Sequence, residues 1–265
     1  MIDSKVFAEL QNRGIITNVG LNPNDFKDID ELQNLGYATS IAADPVYDKL
    51  IEELVDVAAK KQAFLEAVKN GGTVTVDMDY SFESPIEISK NVEIDLNGYT
   101  LKSLVWDEDG ESNSYVFRVK SGKLTITGKG EVVSSDAKYS MAVWVNGGDA
   151  EINGGVYKNA GVSCDLIYAS NKGNIVINDG EFIATLIGDE PGTGNTRSAL
   201  NIKNSNRNTC SIKVRGGKFL EFDPSNNVSE GNSTNFVDNG YESIKDGNYY
   251  IVKELLDVVV DDKTE

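Results

Sequence analysis

The 265-residue sequence contains no histidine, and this absence narrows the chemistry it can support. Histidine is the commonest general base and metal ligand, so a Ser-His-Asp triad is excluded. The two cysteines, Cys164 and Cys210, lie far apart and form no metal-spaced pair. We interpret them as free, buried thiols of a protein made in a reducing compartment. We therefore expect no metal and no cofactor.

Basic residues are also scarce, since 25 lysines and arginines stand against 42 aspartates and glutamates, for a formal net charge of −17. A surface this acidic repels nucleic-acid phosphates and anionic lipids, so we expect neither nucleic acid nor a membrane as partner. No run approaches the roughly 18 apolar residues of a transmembrane helix. The start, MIDSKVFAELQNRG, lacks the pattern of a signal peptide, so we expect synthesis in a cytoplasm.

Proline is rare, with 5 residues, whereas glycine occurs 25 times, which suits many tight turns between strands. An internal repeat supports this interpretation: alternating apolar residues are followed by a glycine, one exposed residue and a further apolar or aromatic residue. The repeat occurs in LTITGKGEV (124–132), AEINGGVY (150–157), IVINDGEF (175–182) and SIKVRGGKF (211–219), and more loosely in VEIDLNGYTL (92–101).

Aligned repeats place residues of one kind at each position. The apolar position holds Ile94, Ile126, Ile152, Ile177 and Val214; the glycine position holds Gly98, Gly130, Gly155, Gly180 and Gly217; the last position holds Val132, Tyr157, Phe182 and Phe219. A second strand precedes most repeats, in YVFRV (115–119), MAVWV (141–145), DLIYA (165–169) and SALNI (198–202). Units of about 25 residues without an intervening helix predict parallel strands stacked like on like.

This pattern resembles the right-handed parallel β-helix proteins of the pectate-lyase-like kind, over roughly residues 62–225. The stretch FLEAVKNGGTVTVDMDYSFESPIEISKNVEIDLNGYTL (64–101) is similar to the opening of such domains, where a short amphipathic helix caps the first strands. The resemblance implies an all-β right-handed parallel β-helix (solenoid). The N-terminal residues, which lack the repeat, predict a small α-helical module before it.

A longer helix is predicted from Asp44-Pro45, with aspartate as N-cap and proline at the first helical position. Apolar residues recur in it at heptad spacing, which predicts a trimer seam. The seam comprises Tyr47, Leu50, Leu54 and Val57, and its spacing continues through Lys61, Phe64 and Val68. The alternative is an amphipathic helix that lies on its own β-helix.

Two short helices, 4–11 and 24–35, precede it, and neither is long enough to be stable alone in water. Their apolar faces need a surface to pack on, which we interpret as a capsid protein; folding back on the β-helix or on each other is the alternative. The faces consist of Val6, Phe7 and Leu10, and of Phe26, Ile29, Leu32 and Leu35.

The predicted organisation is a helical anchor (1–43), a helix that serves as bundle and cap (44–70), the parallel β-helix (71–225) and a C-terminal hairpin with an acidic tail (226–265). The hairpin is indicated by the turn signal Lys245-Asp246-Gly247-Asn248 between two alternating strands. The tail, ELLDVVVDDKTE, is compatible with disorder or with an added strand on a neighbour.

Catalysis is not expected. The exposed position after the glycine holds Glu131, Val156, Glu181 and Lys218, so the two glutamates are separated and the second sits beside a lysine. We interpret Glu181 and Lys218 as a surface ion pair, and we do not interpret Glu181 as one carboxylate of a catalytic acid/base pair. The run GDEPGTGNTR (188–197), which holds Asp189, Glu190 and Arg197, is predicted to be a solvated loop, with binding of calcium or a glycan as the alternative. The orientation of Trp144 stays open.

The whole plan resembles tailed-phage fibre or decoration proteins, in particular the head-fibre proteins of phages, including crAss-like phages. This resemblance implies a non-enzymatic virion protein, made in the host cytoplasm, anchored to a capsid protein of the same virion and assembled as a homotrimer. The alternative is a phage glycan-binding adhesin or polysaccharide depolymerase of the tail-fibre or tailspike type, with a host-surface glycan as partner. That alternative requires a groove lined by acids and aromatic residues.

Overall fold

The computed structural model describes residues 45–104, 114–135, 140–159, 165–184, 188–189 and 196–255. The chain divides into two compact units, Met1–Ala63 and Phe64–Glu265. The described residues form one α-helix, α1 (Pro45–Asn70), a short 3-10 helix (Asn204–Asn206) and otherwise strands and turns. A mainly β protein with parallel sheets is therefore confirmed. The predicted helices 4–11 and 24–35, the residue Asp44, and the tail beyond Leu255 lie outside the described residues.

The strands are short and follow one another closely along the chain. They are β1 (Gly72–Thr75), β2 (Tyr80–Phe82), β3 (Ile86–Ile88), β4 (Val92–Asp95), β5 (Thr100–Ser103), β6 (Ser114–Val119), β7 (Lys123–Thr127), β8 (Glu131–Ser134), β9 (Ser140–Asn146), β10 (Asp149–Asn159), β11 (Ile167–Ser170), β12 (Asn174–Ile183), β13 (Gly188–Asp189), β14 (Thr196–Arg197), β15 (Leu200–Ile202), β16 (Ser211–Val214), β17 (Gly217–Leu220), β18 (Tyr241–Asp246) and β19 (Tyr249–Glu254).

Two sheets contain most of these strands. Sheet A has 12 strands, in which β1, β4, β7, β10, β12 and β16 pair in succession, as do β2, β5, β8, β10, β12 and β17. Sheet B has the order β15-β11-β9-β6-β3. All these pairings are parallel, and the inward side chains of both sheets belong to one hydrophobic core.

The predicted apolar position forms an inner ladder, by which we mean a line of residues paired strand to strand across a sheet. Ile94 pairs with Ile126, Ile126 with Ile152, Ile152 with Ile177, and Ile177 with Val214, and all five are fully buried. The predicted strands 115–119, 141–145, 165–169 and 198–202 pair in the same way in sheet B. The repeat alignment is therefore confirmed.

The aromatic position forms a second inner ladder. Tyr157, Phe182 and Phe219 pair in register, and their rings stack nearly parallel with centroid separations of 5.1 and 4.6 Å. Offset stacking at this separation adds stability beyond the area that the rings bury. The Tyr157 hydroxyl donates to the Gly154 carbonyl oxygen at 3.0 Å, so its polar atom is paired within the core.

The end of α1 covers one end of the core. Phe64 stacks on Tyr80 with ring centroids 5.1 Å apart and lies 6.0 Å from Phe82, while Val68 is also buried. The end of the helix therefore packs on the core, and the helix begins at Pro45 as predicted. Gly71 follows with a φ of +82°, a conformation that ends the helix readily in glycine.

The C-terminal hairpin is confirmed as well. Strands β18 and β19 pair antiparallel around the predicted turn, and β19 pairs antiparallel with β17, so that the last parallel strand of sheet A has a neighbour. This pairing satisfies backbone groups that would otherwise form an open edge.

The edge of sheet B is held by buried carboxylates. Asp165 accepts hydrogen bonds from the Ser198 amide at 3.1 Å and the Asn201 side chain at 2.8 Å. Glu230 accepts from the Ile202 amide of β15 at 2.8 Å. Burial raises the pKa of Asp165 to about 7, and the nearby charge of Glu230 also raises it. The segment around Glu230 is thus fastened to the edge strand through groups sensitive to protonation.

Replacing Phe182 by aspartate tests the aromatic ladder. The change inserts an unpaired charge between two stacked rings, so we expect a loss of more than about 4 kcal/mol in the free energy of unfolding. Val176→Asp is the matched control, because Val176 is half-buried and outward on the same strand, and should cost less than about 1 kcal/mol. Urea unfolding followed by circular dichroism measures both, and equal stability of the two variants would contradict the register.

Asp165 gives a pH-dependent prediction. Because its pKa is raised from 3.8 to about 7, its contribution to stability is full below about pH 4 and is lost as the pH rises through about 7. One such group accounts for at most about 1.4 kcal/mol per pH unit. We expect the stability of the wild type to fall across this range more steeply than that of Asp165→Asn in urea titrations. Parallel pH profiles for the two proteins would refute the assignment.

Candidate functional site

The most distinctive surface lies on the outside of the aromatic ladder. Two outer ladders run along it: ladder A contains Glu131, Val156, Glu181, Lys218 and Ile251, and ladder B contains Lys102, Val133, Lys158 and Ile183. We call these nine residues the ion-paired face. Its residues project outward because they alternate with the buried ones on β8, β10, β12 and β17.

Ion pairs connect neighbouring strands on this face. The Lys158 ammonium lies 2.5 Å from a Glu131 carboxylate oxygen, and the Lys218 ammonium lies 2.9 Å from Glu181. The Tyr249 hydroxyl also donates to Glu181 at 2.7 Å. The predicted pairing of Glu181 with Lys218 is therefore confirmed. The partner of Glu131 was not anticipated, because Lys158 lies one position beyond the repeat AEINGGVY (150–157).

The electrostatics of Glu181 do not suit a general acid. Burial acts to raise its pKa, but the hydrogen bonds from Lys218 and Tyr249 outweigh burial and hold the pKa below its usual value. By strand spacing Glu131 and Glu181 stand roughly 9–10 Å apart, near the upper limit for an inverting glycosidase. This separation is compatible with an inverting glycosidase. An acid catalyst, however, needs a raised pKa, whereas the pKa of Glu181 is lowered.

A shallow groove of about 470 Å³ borders the ion-paired face. Its floor is the glycine position of the repeat, and its walls carry two lysines, two acids and two aliphatic side chains. The lining residues are Lys129, Gly130, Gly154, Gly155, Val156, Asp179, Gly180, Glu181, Lys218 and Ile251. A groove of this size can hold an extended ligand, although its lining contains no aromatic residue.

The glycines of the floor are explained by the packing of strands. A Cβ on Gly130, which has a φ of +144°, would clash with the Tyr99 carbonyl oxygen. A Cβ on Gly154, which has a φ of +157°, would lie 2.8 Å from the Gly128 oxygen. Side chains at these positions would separate successive strands, so the groove is a consequence of close backbone approach.

A second surface cluster lies on the outside of sheet B. The Arg118 guanidinium stacks 4.6 Å from the Trp144 ring centroid, and the Tyr115 ring meets Trp144 edge-on at 4.9 Å. The Trp144 indole donates to the Ser170 hydroxyl at 2.8 Å, and Arg118 lies 3.6 Å from Glu87. Trp144 is therefore outward but half-buried, and its ring is engaged by neighbours on its own sheet rather than presented as a free platform.

The residues proposed for anchoring and assembly are only partly covered by the structure. Val6, Phe7, Leu10, Phe26, Ile29, Leu32 and Leu35 lie outside the described residues. Tyr47, Leu50 and Leu54 lie on α1, but their side chains are outside the described part, whereas Val57 is 38% exposed. These assignments stay predictions.

The remaining candidates are also placed in part. Cys210 is a free, buried thiol as expected, whereas Cys164 lies outside the described residues. The run 188–197 begins and ends in an antiparallel pair, β13 with β14. In the described ranges no cluster of three or more Cys, Asp or Glu side chains could hold a metal ion. Nor does any described helix have the length and hydropathy to cross a membrane.

The ion-paired carboxylates lead to a prediction about catalysis. Because lysines hold both glutamates, we expect the purified protein to release neither reducing ends nor unsaturated products from acidic polysaccharides, with or without calcium. Reducing-sugar assays and absorbance of unsaturated products measure this. Turnover that disappears in Glu181→Gln or in a double variant of Asp189 and Glu190, but persists in Glu93→Gln on another outer ladder, would overturn the non-enzyme interpretation.

Comparison with known proteins adds no assignment: no protein-family model, curated protein or solved structure matches the chain. A proposal about function therefore depends on the resemblance noted from the sequence and on the contacts of the described residues.

Proposed function

We propose that this chain is a structural protein of a bacteriophage virion, a head fibre or capsid decoration protein whose main domain is a right-handed parallel β-helix. Residues 1–43 anchor it to a capsid protein, and the heptad residues Tyr47, Leu50, Leu54 and Val57 join three copies. The observation that carries the proposal is the continuous set of parallel ladders, capped by α1 at one end and followed by an antiparallel hairpin at the other.

This construction suits a spacer that projects from a particle. Every interior strand has a neighbour on both sides, so backbone hydrogen bonds run along the whole stack. Phe64 and Val68 cover the first end, and at the other end the antiparallel hairpin of β18 and β19 replaces a parallel strand as the sheet edge, which discourages end-to-end association. A rigid column that does not polymerise is what a discrete surface projection requires.

The acidic groups support a structural function over a catalytic one. Glu131, Glu181 and Glu151 each contact a lysine on a neighbouring strand. The pKa of Glu151 is lowered chiefly by its hydrogen bond with Lys123, as the pKa of Glu181 is by its own partners. Carboxylates held ionised in this way fasten strands together rather than transfer protons.

The second candidate is a phage glycan-binding adhesin or depolymerase, and the groove beside the ion-paired face favours it. Backbone groups, two acids and two lysines line about 470 Å³ of accessible space, a composition that can bind sugar hydroxyls. Binding of neutral oligosaccharides to the intact protein, weakened by Asp179→Asn and unaffected by Glu93→Gln, would support this candidate over a purely structural function.

Anchoring can be tested by truncation. A chain that begins at Asp44 retains α1 and all described strands, so we expect it to be soluble, to melt like the intact protein and to fail to join virions. A chain that ends at Leu255 is the matched control, because it lacks only the acidic tail and should join virions normally. Co-sedimentation of purified protein with virions that lack it measures both. Normal decoration by the chain that begins at Asp44 would place the anchor elsewhere.

A further inference from the structure

The ion-paired face carries more apolar surface than its charges suggest. Val156 and Ile251 interrupt ladder A, while Val133 and Ile183 interrupt ladder B, and each of the four is only partly buried. The neighbouring residues Leu220 and Tyr249, paired with each other, extend this surface at the hairpin end. Aliphatic side chains aligned on one flat sheet face are a typical feature of a contact surface.

The charges on this face nearly balance. Lys158 and Lys218 pair with Glu131 and Glu181, and Lys102 adds one positive charge, in a chain whose formal net charge is −17. Copies of so acidic a chain repel each other in general, but a face with no local excess of negative charge allows close approach. This distribution favours a second copy as the partner, because the face carries both signs of charge in alternation, whereas a strongly acidic or basic partner would meet like charges as well as opposite ones.

The register of the two ladders makes the face complementary to itself. Two copies can face each other through a half-turn about an axis parallel to the direction of strand stacking. Ladder A of one copy then lies opposite ladder B of the other copy, strand level by strand level. Lys158 is on the same strand as Val156, between the strands of Glu131 and Glu181. Lys158 of one copy would therefore lie opposite Val156 of the other, offset along the stacking direction by one strand spacing, roughly 4.8 Å, from the Glu131 and the Glu181 of that copy.

From this arrangement we infer that the ion-paired face packs against the same face of a second copy of this chain, strand for strand in register. The lysines then exchange between a glutamate of their own chain and one of the neighbour, while the valines and isoleucines are buried between the copies. This inference rests on the proposed function, since it names the surface through which projecting columns associate side by side.

The size of the face sets the expected strength. Five strand spacings from β5 to β19 give a length of roughly 24 Å, and two ladders give a width of roughly 12 Å. The face therefore buries on the order of 300 Å² per copy, well below the roughly 800 Å² per partner of a standard interface. Association through this face should accordingly be weak and visible at micromolar or higher concentration.

Sedimentation velocity of the full chain from 1 to 100 µM tests the inference. Beyond the trimer expected from the heptad residues, the wild type should gain mass as its concentration rises, and Ile183→Lys or Val156→Lys should raise the dissociation constant of this further step at least tenfold. Val176→Lys is the matched control, because Val176 lies on the same strand as Ile183 and also points outward, but belongs to a different outer ladder. It should leave the dissociation constant unchanged, and thermal melting should show that all three variants fold.

A charge exchange makes the test specific for register. Lys158→Glu should weaken association, because its carboxylate faces Glu131 and Glu181 of the neighbour, and Glu131→Lys in the same chain should restore part of the loss. A wild type whose mass does not rise between 1 and 100 µM, or a wild-type mass in the Ile183→Lys and Val156→Lys variants, would overturn the inference. Virion binding is a separate measurement. If the chain associates through this face but joins no virion, the proposed function is wrong and the inferred contact still stands.

Discussion

Parallel strands can stack in this molecule only if equivalent residues recur at equivalent positions, and every other feature depends on that constraint. An in-register strand places each side chain directly over the one before, about 4.8 Å away. Isoleucine therefore lies on isoleucine from Ile94 to Ile177, and aromatic rings lie on aromatic rings from Tyr157 to Phe219. Where the chain turns, successive backbones come so close that a Cβ on Gly217 would touch the Gly180 carbonyl oxygen.

The same register orders the outside of the molecule. Outward residues fall into straight ladders, so a single lysine can reach glutamates one strand away, and Lys158 does so with Glu131. Ion pairs of this exposed kind contribute little stability individually. Their larger effect is on charge distribution, because they give a strongly acidic chain one face without an excess of negative charge, and on chemistry, because they hold the pKa of Glu181 low. The same contacts thus connect neighbouring strands and keep the pKa of Glu181 below its usual value.

Much of sheet A could be predicted from sequence because its strands alternate with period two and end in a glycine. Sheet B was harder to predict, because consecutive residues are buried along several of its segments, such as Ala142 and Val143, or Leu166 and Ile167. Alternation breaks there, so the outward direction of Trp144 could not be read from its position. The packing of Trp144 against Arg118 and Ser170 also joins different repeats, and no local pattern reports it.

Long-range polar contacts were equally hidden from the sequence. Tyr249 reaches Glu181 from 68 positions away, and Glu230 reaches Ile202 from a segment without any repeat. Asp165 lies at the start of a predicted strand, where nothing local indicates that a carboxylate would be buried and shared with Asn201. Such contacts depend on where the stack of strands ends. The repeat predicts the order of the strands, but it does not predict which residues pack on the last strand.

In-register stacking, the central claim, is tested most directly by a distance between two spin labels on one outer ladder. Glu93 and Lys213 are exposed and are separated by four strand spacings through Thr125, Glu151 and Val176. In a chain whose two native cysteines are replaced by serine, labels at these positions should give a narrow distribution centred near 20 Å, since four spacings amount to about 19 Å. A broad distribution, or a mean beyond about 35 Å, would contradict the account.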